Sequence, residues 1–75
     1  MNQTTIILDW LKRGHRITSF QAFSMFGVTR LSAKIFEIKK AGYNIQWNMI
    51  EKTNQFGNKV RYKEYFLIEK EKNNE

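Results

Sequence analysis

A chain of 75 residues, 41% hydrophobic and 15% aromatic, has the composition of one small folded domain, too short to surround a deep catalytic cleft with a scaffold. It has no cysteine and one histidine, His15, which excludes a disulfide framework, thiolate chemistry and a histidine-rich metal site. The net charge is +6 and unevenly placed: residues 1–68 carry 11 basic and four acidic side chains, while the tail from Glu69 to Glu75 is net acidic. The folded part therefore projects a positive field suited to a polyanion, with solubility as the plainer use of such a surface. No apolar run is long enough to span a bilayer and no signal-peptide pattern opens the chain, so a cytoplasmic protein with no membrane partner is expected. Ten of the 11 aromatic residues lie between Trp10 and Tyr65, which predicts a core running through most of the chain.

The first helix is expected to start after Thr4 or Thr5 as N-cap. Ile7, Leu8 and Leu11 form its apolar stripe, with Trp10 beside them. Lys12 and Arg13 occupy the last turn, Gly14 is a left-handed stop, and Gly14-His15-Arg16 follows as a short loop. Thr18 opens the second helix, and Gln21 is placed to complete a capping box. Phe20, Phe23 and Phe26 recur at spacing three, with Ala22 and Met25 alongside, before the helix ends at Gly27. Val28 is a buried plug in the turn, and Thr29 is the next N-cap candidate. The third helix is expected from about Arg30 to Ala41, stopping at Gly42, with Leu31, Ile35 and Ile38 on its core face.

After Gly42 the period changes to two. Ile45, Trp47 and Met49 alternate with Asn44, Gln46 and Asn48, the pattern of a strand with one wet face. Thr53 to Lys59 holds the Asn and Gly residues of a hairpin loop, and Val60 to Ile68 is rich in the β-branched and aromatic residues of a return strand. The tail, residues 69–75, is charged and expected to fray.

Three helices followed by a two-stranded hairpin is an α+β layout, that of a winged helix-turn-helix domain over residues 1–68. In that arrangement the third helix enters the major groove and the hairpin wing lies on the phosphate backbone or in the minor groove. Arg30, Ser32, Ala33, Lys34 and Glu37 fall on the outer side of the third helix. Arginine pairs bidentately with guanine, and Lys34 suits guanine or phosphate. Thr29 and Ser32 can donate to phosphate beside the helix N-terminus, and Ala33 permits close approach to a thymine methyl. Lys52, Lys59, Arg61 and Lys63 on the wing, with Arg13 and Arg16 after the first helix, are candidate phosphate contacts. Each group has a plainer structural use. Lys39 and Lys40 suit the helix C-terminus as solvated cations, and the wing lysines also suit edge-strand protection. Phe36 lies off the apolar stripe, so it packs under the wing or marks a partner surface; Phe56 at the hairpin tip poses the same choice.

The stretch ITSFQAFSMFGVTRLSAKIFEIKKAGYNI resembles a family of short helix-turn-helix proteins of bacteriophage and prophage genomes. The shared residues are Ile17, Thr18, Ser19, Ala22, Phe26, Gly27, Arg30, Leu31, Ser32, Ala33, Ile35, Ile38, Lys40, Ala41, Gly42 and Tyr43, and the return strand with Glu64 to Leu67 is also similar. The likeness covers about residues 6–68 and implies a DNA binder of a bacterial host's cytoplasm. One departure stands out: common phage repressors place a small residue four positions before the turn glycine, whereas here that position is Phe23 and the alanine, Ala22, lies five before Gly27. Their contact positions therefore do not transfer, and the roles of Arg30 and Lys34 rest on helical geometry.

The expected function is binding of double-stranded DNA to regulate transcription or recombination. The alternative is an anti-defence or host-takeover protein that uses the same fold to bind a host protein. No cofactor is expected. An enzyme is not expected either, because His15 has no evident catalytic partner and the few carboxylates form no metal-ligand cluster. A homodimer and cooperative assembly on DNA are both compatible with the sequence.

Overall fold

The computed structural model describes residues 2–68. The elements run α1 (Gln3–Lys12), β1 (Ile17–Thr18), α2 (Ser19–Phe26), α3 (Leu31–Lys40), β2 (Ile45–Thr53) and β3 (Lys59–Leu67). The tail from Glu69 onward, expected to fray, lies outside the described residues.

Helix α1 begins earlier than the threonines suggested. Asn2 is the N-cap, its carboxamide oxygen accepting from the Thr5 N–H at 2.8 Å. Asparagine is a stronger cap than threonine, which leaves the Thr4 hydroxyl free to donate to the Glu37 carboxylate of α3. Ile7 and Leu11, one turn apart, are buried.

The expected capping box of α2 is present. Thr18 Oγ1 accepts from the Gln21 N–H at 3.1 Å, and Gln21 Oε1 accepts from the Thr18 N–H at 3.0 Å. Thr18 is also the last residue of β1, so one buried residue ends a strand and starts a helix. Gly27 closes α2 at φ +70°, where a Cβ would be strained, and the Val28 N–H reaches back to the Ala22 carbonyl at 3.0 Å. Val28 plugs the turn at 1% exposure. Thr29 does not cap α3: the N-cap position falls on Arg30, which makes no side-chain cap hydrogen bond. Leu31, Ile35 and Ile38 form the buried face of α3 as the spacing required.

The sheet has three antiparallel strands in the order β1-β3-β2, one more than the expected hairpin. Ile17 pairs with Tyr65 and Thr18 with Glu64, while the hairpin ladder runs from Ile45↔Leu67 out to Thr53↔Lys59. Two residues are too few to show a period, which is why β1 is invisible in the sequence. At the tip, Asn54 Oδ1 accepts from the N–H groups of Phe56 and Asn58 at 2.9 and 3.0 Å, and Gly57 adopts φ +83°.

The core runs through most of the chain, from Ile7 to Tyr65, as expected. It is aliphatic, built from Ile7, Leu11, Ile17, Ala22, Val28, Leu31, Ile35, Ile38 and Ile45, and Tyr65 is the one aromatic residue buried with them among the described residues. The alternation of β2 survives as geometry and fails as burial: Ile45 is buried, but Trp47 and Met49 are 45% and 50% exposed because no helix covers the outer hairpin. A domain of this length has a radius of gyration of about 11 Å when fully compact, whereas this one measures 13.9 Å with a long axis of 49 Å. The projecting wing accounts for the excess.

Candidate nucleic-acid interface

Helix α3 has two solvent-facing flanks. Lys34 and Glu37, at i and i+3, share the flank that meets α1, where the Glu37 carboxylate accepts the Thr4 hydroxyl. Ser32, Phe36 and Lys39, at i, i+4 and i+7, share the flank that faces the wing root, where they line one groove with Trp47, Lys63 and Tyr65. Ala33 and Lys34 are half-buried, whereas Thr29, Arg30, Ser32, Glu37, Lys39 and Lys40 are exposed. Of the residues expected on the outer side of α3, Arg30, Ser32 and Glu37 are therefore exposed, as is Thr29 just before the helix. Glu37 is held by α1.

The hairpin register divides the wing cations by face, because side chains alternate along each strand and opposed residues share a face. Lys59, Arg61 and Lys63 alternate with Val60 and Tyr62, and they share a face with Trp47, Met49, Glu51 and Thr53. That face continues into the groove beside α3. Lys52 pairs with Val60 and lies on the opposite face, beside Tyr62, Glu64 and Phe20 of α2. The expected wing set is thus split, with Lys59 and Arg61 on the α3 side and Lys52 on the α2 side.

Several cations already have protein partners. Arg61 Nε lies 3.6 Å from the Glu51 carboxylate, and Arg13 pairs with Asp9 at 3.0 Å. Arg16 lies 3.6 Å from Glu64 and 4.6 Å over the Phe66 ring, which fixes it to the back of the sheet. Trp10 supports this corner by donating its indole N–H to the Arg16 carbonyl at 3.1 Å and stacking on His15 at 4.1 Å. These exposed pairs are weak, so they orient the cations without neutralising their attraction to a phosphate. Arg30, Lys34, Lys39 and Lys59 form no ion pair with another described residue.

An exposed helix follows a tight Gly-Val-Thr turn, with a basic hairpin beside it, and a winged helix-turn-helix domain family model matches residues 2–70. The chain belongs to the winged helix-turn-helix domain family. Membership supports DNA as the partner of this winged domain. No curated protein matches the chain. Among the described residues no helix is long and apolar enough to cross a membrane.

Lys63 is legible in the sequence as a wing cation, whereas the meeting of Phe36 and Trp47 in one groove is not. The signal lay in the register: once the hairpin loop is placed at residues 54–58, Trp47 falls opposite Tyr65 at the wing root, beside the groove that Phe36 lines. Phe36 is 62% exposed and rims this groove with no helix or strand above it, and Phe56 at the tip is 77% exposed.

Proposed function

We propose that this winged domain binds double-stranded DNA as a phage-type regulator of transcription or recombination. In this reading Arg30 and Ser32, at the start of α3, meet base edges and phosphate in the major groove, with Lys34 and Ala33 behind them. The α3-facing side of the wing, carrying Lys59, Arg61 and Lys63, follows the backbone. The observation that carries it is the convergence on one side of the molecule of exposed cations from α3 and from a wing that no core residue requires to be there. The role is one of binding, without an enzymatic step.

Salt dependence tests it. With about six phosphate contacts, affinity for duplex DNA falls roughly a thousandfold between about 50 and 200 mM salt. A flat response rules the reading out. A second reading, capture of a host protein, is favoured by the exposed Phe20, Phe23 and Met25 of α2, at 76%, 58% and 43% exposure. The double substitution Arg30→Ala, Lys34→Ala separates the two. Loss of DNA binding together with biological activity supports the regulator; loss of DNA binding with activity intact supports the protein-binding role.

A further inference from the structure

The groove between α3 and the wing root has a volume of about 210 Å³, and its walls are an unusual mixture. Phe36 and Trp47 contribute exposed aromatic rings, 62% and 45% accessible, over a floor that includes the buried Tyr65. Three ammonium groups surround them. Lys63 Nζ stands 4.5 Å from the Trp47 ring centroid and Lys40 Nζ 5.6 Å from that of Phe36, while Lys39 lines the rim. Neither ring is needed by the core, which is aliphatic and complete beneath them.

We propose that this groove receives a nucleobase taken out of the DNA stack, so that the protein prefers DNA containing an unpaired base to fully paired duplex. The inference rests on the DNA-binding reading above and adds a ligand subsite to it. Charge selects the partner: lysine is depleted at protein–protein interfaces, whereas aromatic rings among cations are the recurrent equipment for unstacked bases and their flanking phosphates. Geometry selects the state of the DNA. A paired stack turns only base edges and methyl groups toward a helix in the major groove, which leaves an aromatic face unused. An unpaired base offers a face of its own.

Magnitudes favour the exchange. An exposed cation–π contact shifts an equilibrium by roughly two- to fivefold, whereas stacking a base on an aromatic side chain is worth roughly five- to 150-fold. When a phosphate arrives, Lys63 and Lys40 trade their rings for it, releasing counterions from the DNA. The rings they covered become stacking surfaces. Ser32, on the same rim, supplies a hydroxyl that can donate to or accept from the base edge.

The test is a titration of the full chain, at one fixed salt concentration, with a paired duplex and with the same duplex carrying a single unpaired thymine. The wild-type protein binds the bulged duplex about tenfold more tightly. Phe36→Ala and Trp47→Ala each reduce that preference to less than threefold while leaving affinity for the paired duplex within a factor of about two, and Trp47→Phe retains it. Both side chains are substantially exposed, so circular dichroism of the variants should match the wild type, and Phe36→Ala carries the test should Trp47→Ala prove unstable. Equal wild-type affinity for the two duplexes overturns this inference and leaves the DNA-binding reading standing; so does a preference that survives Phe36→Ala. Failure to bind either duplex overturns both.

Discussion

The helical body and the wing of this domain are built by opposite rules. In the body each helix surrenders a stripe of aliphatic residues to a shared interior: Ile7 and Leu11 from α1, Ala22 from α2, and Leu31, Ile35 and Ile38 from α3 are all at or below 4% exposure. The hairpin contributes only Ile45 and Tyr65 at its root, and from Asn48 to Arg61 no residue is buried. The outer wing is held by its own backbone ladder, the Asn54-centred turn and cross-strand side-chain pairs. A two-stranded ribbon has little independent stability, so the body anchors it at one end and β1 adds a third strand there. The lesson is a division of labour. The buried stripes of the body answer to packing, and the exposed side chains of the outer wing do not.

The sharpest way to break that comparison is a pair of truncations. Ile38→Ala removes a side chain that is 1% exposed, at a cost of about 2–5 kcal/mol. Domains of this size are stable by only about 5–10 kcal/mol, so the urea midpoint falls steeply or the cooperative transition disappears. Met49→Ala, a truncation of similar chemistry on the exposed wing, should move stability by no more than about 0.5 kcal/mol. If the two midpoints shift alike, the outer wing packs in a way its 50% exposure hides.

The same division explains what the sequence revealed. Helical stripes, the capping box at Thr18 and Gln21, the Gly27 stop and the hairpin loop follow from local chemistry, and the chain order of helices and hairpin follows from them. What escaped was decided by partners distant in sequence. β1 exists because Ile17 and Thr18 find Tyr65 and Glu64, 48 and 46 positions away. The alternation of Ile45, Trp47 and Met49 correctly marked a face, but whether a face is covered depends on where a helix ends. The three phenylalanines of α2 look like core by composition, yet Ala22 fills the interior position while Phe20 and Phe23 face outward. Among the candidate contacts, exposure and face were the illegible part: Lys52 and Lys59 look equivalent in the sequence and lie on opposite sides of the wing.

That last difference gives a prediction with no stability component. Lys59→Ala, on the face continuous with the α3 groove, should lower the slope of log affinity against log salt by about 1, the share of one phosphate contact. Lys52→Ala, on the α2 side, should leave the slope within experimental error and affinity nearly unchanged. Thermal midpoints of both variants should match the wild type, because both side chains are exposed. A reversed order would put the DNA on the other face of the wing and move the interface from the α3 groove to the one lined by Phe20 and Tyr62.

The smallest effect is the most discriminating about electrostatics. Glu51 is the one acid on the α3-facing side of the outer wing, and its carboxylate lies 3.6 Å from Arg61. With side-chain exposures of 69% for Arg61 and 49% for Glu51, the pair contributes at most a few tenths of a kcal/mol to folding once solvent screening is counted. Glu51→Gln therefore leaves the fold intact. It removes a negative charge from the surface offered to phosphate and releases Arg61 to pair with DNA instead. Affinity for duplex DNA should rise about two- to fivefold at low salt, and the gain should vanish as the Debye length shortens to about 3 Å near 1 M salt. A gain that persists at high salt would mean that Glu51 acts by holding Arg61 in a fixed orientation and not through its charge. A loss of affinity would mean that the ion pair itself positions Arg61 for DNA, in which case the exposed pairs of the wing are part of its binding geometry.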